Sequence, residues 1–312
     1  MSEFRHRPVM VAEVLAALKP HAQGKYIDAT VGGGGHAAAI LEASKPSGTL
    51  FGCDRDGEAI EAARQVLLPY AGRFELRQGG FANLDQWVEE GVWDGCLMDL
   101  GISSFQLEES RRGFSLQRDG PLDMRMDQRQ GLTAAEWLEE TSADEMIRIF
   151  QEYADEPAAR RAAKAIVAER SRGRLQTTGQ LAALLTRVLP RAGRRIHPGT
   201  RVFQAVRMAV NDELGQLKLG LAGAWRVLKP GGRLAVITFH SVEDRLVKAF
   251  GRVMSRDYVV PGEVDIPELR QLRAPELSQI TRRPVEPSED EVQENPRARS
   301  ARLRVFEKVH VA

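Results

Sequence analysis

Apolar positions along the first hundred residues fall into two alternating rhythms. Val11, Val14, Leu15 and Leu18 recur at helical spacing and predict a helix over residues 9–18. Apolar runs at 25–30, 49–54, 73–77 and 95–99 have strand length, and helical spacing fills 37–44, 58–68 and 84–89 between them. Strands separated by helices of that length predict βαβ units with right-handed crossovers around a parallel sheet. The rhythm stops near Leu107. Residues 119–131 are charged and rich in turn formers, and only helical patterns follow, at 133–140, 142–153, 157–170 and 180–189. Thr133 with Glu136 has the form of a capping box, and Pro157 suits a first helical turn. A long helix ending at Leu228, a Lys-Pro-Gly-Gly turn at 229–232 and an apolar strand at 233–239 resume the α/β order. The run at 301–308 alternates like a half-buried edge strand, and residues 261–296, rich in Pro and Glu, read as a long excursion. The expected architecture is α/β: a doubly wound Rossmann-like sheet built from residues 1–108 and 208–312, interrupted by an all-helical insertion at 109–207.

Composition changes this picture little. The chain has 312 residues, 43% hydrophobic and 28% charged, as expected of a soluble globular protein. Two cysteines, Cys53 and Cys96, exclude a disulfide framework and a four-thiolate zinc site. No apolar leader or membrane-length segment is visible, so a cytoplasmic location is expected. The net charge of +1 is uninformative, but its distribution is not. Residues 133–157 carry eight acids against Arg148 alone. Residues 158–207 carry twelve bases, eleven of them Arg, against Glu169 alone. Such an imbalance points to an anionic partner, and Arg suits bidentate phosphate contacts and stacking on bases.

The sharpest local signal is Asp28-Ala-Thr-Val-Gly-Gly-Gly-Gly-His-Ala37. Gly32, Gly34 and Ala37 satisfy the nucleotide fingerprint between a predicted strand and helix, and Asp54, twenty residues beyond Gly34, is placed to accept ribose hydroxyls. No Gly-Lys-Ser/Thr follows, which excludes a P-loop. A nicotinamide dinucleotide and S-adenosylmethionine both fit. Asp28 favours the second, because a buried carboxylate accepts from an ammonium and repels a pyrophosphate. Phe81, after a Gly-Gly turn, is placed either to flank an adenine or to fill core.

Longer motifs narrow the choice. Met98-Asp-Leu-Gly-Ile-Ser-Ser-Phe-Gln106, Arg112-Gly-Phe-Ser115 and Asp119-Gly-Pro-Leu-Asp-Met-Arg-Met-Asp127 closely resemble the RsmH (MraW) family. So do His197-Pro-x-Thr-Arg-x-Phe-Gln-Ala-x-Arg207, Phe239-His-Ser-x-Glu-Asp-Arg245 and Asn295-Pro-Arg-Ala-Arg-Ser300, in order along almost the whole chain. The resemblance implies an S-adenosylmethionine-dependent methyltransferase acting on the N4 amine of a cytidine in small-subunit (16S) ribosomal RNA near the decoding centre. It implies cofactor binding by Gly34, Gly35, His36, Asp54, Phe81, Asp99 and Gln106, and a helical RNA-recognition domain in the insertion. His36, opening a helix, equally suits a backbone-capping role. Phe105 stands where the family often has proline.

For amine methylation, Asp99 is the catalytic candidate: it and the Leu100 carbonyl are placed to accept the two N4 hydrogens. Ile102 holds the place where aminomethyltransferases with an Asp-Pro-Pro-Tyr loop stack an aromatic on the base, so Phe105, Phe239 and His240 are the candidates to contact the base, and Arg191, Arg194 and Arg195 to contact RNA. His240 with Ser241, Glu243 and Asp244 also reads as a helix-capping cluster. Methylation at carbon-5 requires a cysteine nucleophile, and both cysteines fall inside strands. The scattered histidines offer no metal site. Two rivals remain at this level: a nicotinamide dehydrogenase, and an RNA-holding ribosome-assembly factor with a vestigial cofactor fold.

Overall fold

The computed structural model describes residues 8–173, 175–190, 197–262 and 264–309, with the side chains of residues 104 and 105 outside that description. The chain divides into two compact units. Unit 1 is Met1–Gly101 with Gln216–Ala312, and unit 2 is Ile102–Gly215, wider at both ends than the 109–207 insertion expected.

Unit 1 begins with α1 (Val11–Leu18), β1 (Lys25–Asp28), α2 (Gly35–Ala43), β2 (Thr49–Asp54), α3 (Gly57–Leu67), β3 (Phe74–Gln78), the single turn α4 (Leu84–Trp87) and β4 (Trp93–Asp99). Asp56 caps α3 by accepting from the Glu58 amide at 3.0 Å. Unit 2 holds α5 (Ser104–Glu108), α6 (Ala134–Glu140), α7 (Ala143–Ala154), α8 (Ala159–Arg170), α9 (Thr178–Val188) and α10 (Thr200–Val210). Then come α11 (Glu213–Val227), β5 (Leu228–Thr238), α12 (Ser241–Met254), a small ribbon of β6 (Tyr258–Val259) with β7 (Gln271–Leu272), β8 (Leu277–Gln279), α13 (Glu289–Glu294) and β9 (Arg302–Lys308).

The main sheet has the order β3-β2-β1-β4-β5-β9-β8. Pairing is parallel from β3 through β5 and antiparallel at β5–β9 and β9–β8. Alternate residues feed two cores, as period-2 strands must. Tyr26, Leu97, Ala235 and Ile237 join Val14, Ile40 and Leu67 on one face, while Ile27, Cys96, Met98 and Val236 join Leu221, Trp225 and Val247 on the other. Helices on both faces make the sheet doubly wound. The strand order reverses between β1 and β4, and ligands of such sheets sit in the crevice at the carboxyl ends there.

Several expectations need correcting. β9 is not an edge: it lies between β5 and β8, with four consecutive buried residues. The excursion at 261–296 contains β7, β8 and α13, and β8 joins the main sheet. Pro157 precedes α8, whose N-cap is Ala158. The long helix ending at Leu228 is α11, set off from α10 by a break where Asp212 takes φ 46°. Within unit 2 the Thr133 capping box forms, and Thr177 with Gln180 makes a second. Met124, Leu138, Phe150, Ile166, Leu185 and Val206 share its core. Both cysteines are fully buried in strands.

Candidate active site at the carboxyl end of the sheet

Three carboxylates close three adjacent strands: Asp28 ends β1, Asp54 ends β2 and Asp99 ends β4. The glycine turn between β1 and α2 makes room beside them. Gly32 (φ 49°) and Gly34 (φ 84°) both use left-handed backbone, and Gly34 forms the N-cap of α2. A Cβ on Gly34 would lie 3.0 Å from the Ala63 backbone, a contact tight enough that α3 would have to shift by a few tenths of an ångström.

Asp54 organises this turn. Its two oxygens accept from the amides of Gly32 at 3.0 Å and Asp56 at 2.9 Å. Burial raises its carboxyl pKa to about 6 against the pull of those amides. Asp28 is almost completely buried; one oxygen accepts from the Thr30 amide at 3.2 Å, while Oδ2 has no hydrogen-bond partner in the protein. Burial pushes its carboxyl to about 7, with the Asp54 charge adding to the rise. Asp99 is raised well above the usual carboxylate range, by burial first, then by the charges of Asp28 and Glu243. Its Oδ1 is likewise buried without a partner, and its amide donates to Thr30 Oγ1 at 2.7 Å. Thr30, which sequence reasoning passed over, therefore ties the end of β4 to the end of β1. The only signal was its place two residues after Asp28.

His36 sits in the first turn of α2, buried. Its Nε2 lies 2.8 Å from the Val9 carbonyl, an acceptor, so Nε2 carries the proton and Nδ1 faces Asp99 Oδ2 at 3.6 Å. Phe81 is half-buried against the α11 face of the sheet, its ring over Gly220, where the missing Cβ leaves it room. Phe239 follows β5 beside Gly101, whose φ of 100° admits only a small residue, and its amide donates to Glu243 Oε2 at 3.0 Å. His240 is the N-cap of α12: Nδ1 accepts from the Glu243 amide, and Nε2 stands 2.9 Å from Glu243 Oε1. The capping role, one of its two readings, is thus one its ring atoms perform, and Ser241 starts α12 as expected.

Gly34, Gly35, His36, Asp28, Asp54, Phe81 and Asp99 therefore share unit 1. Gln106 lies on α5 of unit 2, buried, with Oε1 accepting from the Ser103 amide at 3.1 Å. The Phe105 side chain and residues Arg191, Arg194 and Arg195 lie outside the described residues.

Asp28, buried, and Asp99, half-buried, each carry one buried oxygen without a partner, an arrangement that is costly unless a ligand carrying positive charge meets it. The ammonium and sulfonium of S-adenosylmethionine fit that demand; a pyrophosphate does not. With a glycine turn below and an acid ending β2, the fold and site define an S-adenosylmethionine-dependent methyltransferase of the Rossmann-like class. The chain belongs to the MraW methylase family, whose profile matches residues 3–309. It is 47% identical over 311 residues to ribosomal RNA small subunit methyltransferase H of Syntrophotalea carbinolica, covering 98% of each chain. It is 48% identical over 307 residues to the protein of that name from Thermomicrobium roseum, covering 97% of this chain and 94% of the other. Among solved structures, an rRNA methylase from Streptococcus thermophilus superposes with TM-score 0.45 at 12% identity, over 98% of this chain and 99% of the other.

Proposed function

We propose that this enzyme methylates the exocyclic N4 amine of a cytidine in small-subunit ribosomal RNA near the decoding centre, working in the cytoplasm on RNA held within the small subunit. The observation that carries the chemistry is Asp99 at the switch point, with a buried, unpartnered oxygen on a carboxyl of raised basicity. The small-subunit substrate is supported by the names of the relatives.

An exocyclic amine is a weak nucleophile because its lone pair is delocalised into the ring. S-adenosylmethionine supplies a methyl group already activated by its sulfonium. The chain's task is alignment, which contributes roughly 7–11 kcal/mol in well-oriented reactions. Asp99 accepts one N4 hydrogen and the Leu100 carbonyl the other, turning the lone pair towards the methyl carbon. When bound, S-adenosylmethionine would give up its methyl group and keep the C–S bonding pair on sulfur; Asp99 would take the amine's surplus proton, a role its raised basicity suits. The carbon-5 alternative needs a reactive thiol; Cys53 and Cys96 are fully buried and burial holds both thiols protonated.

Labelled S-adenosylmethionine, offered with naked small-subunit RNA and with small subunits, tests the reading after digestion to nucleosides. Label in N4-methylcytidine, greater with subunits, is expected. Label at carbon-5, or none with either substrate, overturns it.

A further inference from the structure

The twelve bases of residues 158–207 are not equivalent, and the structure separates them. Arg170, at the end of α8, donates Nη1 to the carbonyls of Leu138, Glu139 and Thr141 at 2.8–2.9 Å, closing the C-terminal end of α6. Arg201 donates to the Asp155 carbonyl at 2.9 Å, and buried Arg207 binds Glu213 through both arms at 2.7 and 2.8 Å. Arg172 and Arg187 share Glu169 at 4.0 and 3.3 Å. Arg174 joins Arg191, Arg194 and Arg195 outside the described residues.

Arg160, Arg161 and Lys164 remain. All three are exposed on α8, and among the described residues none has an ion pair. At 100° per residue they span about 100° of the helix circumference and about 6 Å along its axis. Ala159, Ala162, Ala163 and Ile166 fill the opposite, buried side. Exposed Ala168 and Ser171 continue the same stripe without an acid. Three unpaired cations this close repel one another, a cost that a polyanion reverses.

We propose that this face of α8 is a docking surface for the sugar-phosphate backbone of the substrate RNA, positioning the RNA rather than reading its bases. The inference rests on the RNA-methyltransferase reading and adds which side of unit 2 the RNA follows. Arg170, Arg201 and Arg207 hold the unit together and take no part in docking.

The test is the salt dependence of binding to a small-subunit RNA fragment, followed by fluorescence anisotropy between about 50 and 300 mM KCl. For the triple variant Arg160→Gln, Arg161→Gln, Lys164→Gln, the log–log slope becomes shallower by about two to three, because each lost phosphate contact removes about 0.7–0.9. Affinity at the lowest salt falls about tenfold or more. The melting temperature and S-adenosylmethionine affinity stay at wild-type values. Arg170→Gln gives the reverse pattern: a lower melting temperature and an unchanged slope. Arg161→Glu alone provides a second reading should the triple variant fold poorly, again with weaker binding and a shallower slope. A wild-type slope and affinity in the folded variants, with wild-type protein binding normally, overturns the α8 surface while leaving the methyltransferase reading intact. Salt-independent or absent binding by the wild-type protein, to the RNA fragment and to small subunits alike, overturns both.

Discussion

Asp28→Asn should make the ligand-free protein more stable and the enzyme worse. The Asp28 carboxyl is 1% exposed and displaced from 3.8 to about 7, chiefly by burial. A carboxyl raised in the native state keeps a proton that the unfolded chain has already released. Its contribution is therefore complete at pH values below 3.8 and is lost as pH rises through about 7. At about 1.4 kcal/mol per pH unit, full ionisation costs the native state about 4 kcal/mol. Asparagine keeps an oxygen to accept from the Thr30 amide and carries no charge. In thermal melts from pH 5 to 8.5 without ligand, the wild type should lose stability up to about pH 7 and then level off, while the variant's curve is flatter. At the alkaline end the variant should melt about 5–10 °C higher. Saturating S-adenosylmethionine should reverse the order, because the wild type gains the stabilisation of a bound ligand and the variant has lost the acceptor for its ammonium. Parallel pH curves for the two proteins would refute the reasoning, since they would mean Asp28 titrates alike in the folded and unfolded chains.

Asp54→Ala should weaken S-adenosylmethionine binding by about 2 kcal/mol in titration calorimetry, the scale of hydrogen bonds to a charged group; unchanged affinity would place the ribose elsewhere. Asp99→Asn should slow single-turnover methyl transfer by roughly 10²–10³ with cofactor and RNA both saturating, and a near-wild-type rate would reduce Asp99 to a binding residue. Gly34→Ala should destabilise the protein by at least about 2 kcal/mol, because left-handed backbone alone costs about 1–2 kcal/mol and the neighbouring Ala63 backbone would have to shift. An unchanged melting temperature would contradict that.

Thr49–Asp54 was readable residue for residue, since an apolar run between a turn and a terminal acid permits one strand only. Two of the three strand-ending acids, Asp54 and Asp99, were readable for the same reason, since alternating strands and helices locate the carboxyl edge; Asp28 read as lying inside a strand that ran to residue 30, whereas β1 stops at Asp28. β9 misled because Arg302 and Arg304 give it the polar alternation of an edge strand. Arg304 is in fact buried, paired through both arms with Asp244 at 2.7 and 3.1 Å. A partner sixty residues away leaves no mark on local periodicity. The capping cluster around His240 was legible, but which of its members caps α12 was not, because only the ring geometry shows that. Thr30 was missed because a hydroxyl bond between two strands depends on which strands become neighbours. The charge imbalance of the insertion was legible, but its division between cations that brace helices and cations that face solvent was not.

The order of elements along the chain has a consequence for how the protein is made. Strands β1 to β4 leave the synthesising ribosome first, yet the next strand of their sheet, β5, follows only after all of unit 2. During that interval β4 has one side unpaired, and the apolar faces of the early strands lack the cover of α11 and α12. Unit 2, by contrast, is contiguous and can close its core as soon as it emerges, in keeping with the tendency of domains to fold as units. The helical unit should therefore be the first to become protease-resistant on stalled chains. The half-sheet waiting beside it is the stretch most exposed to mispairing and to capture by chaperones.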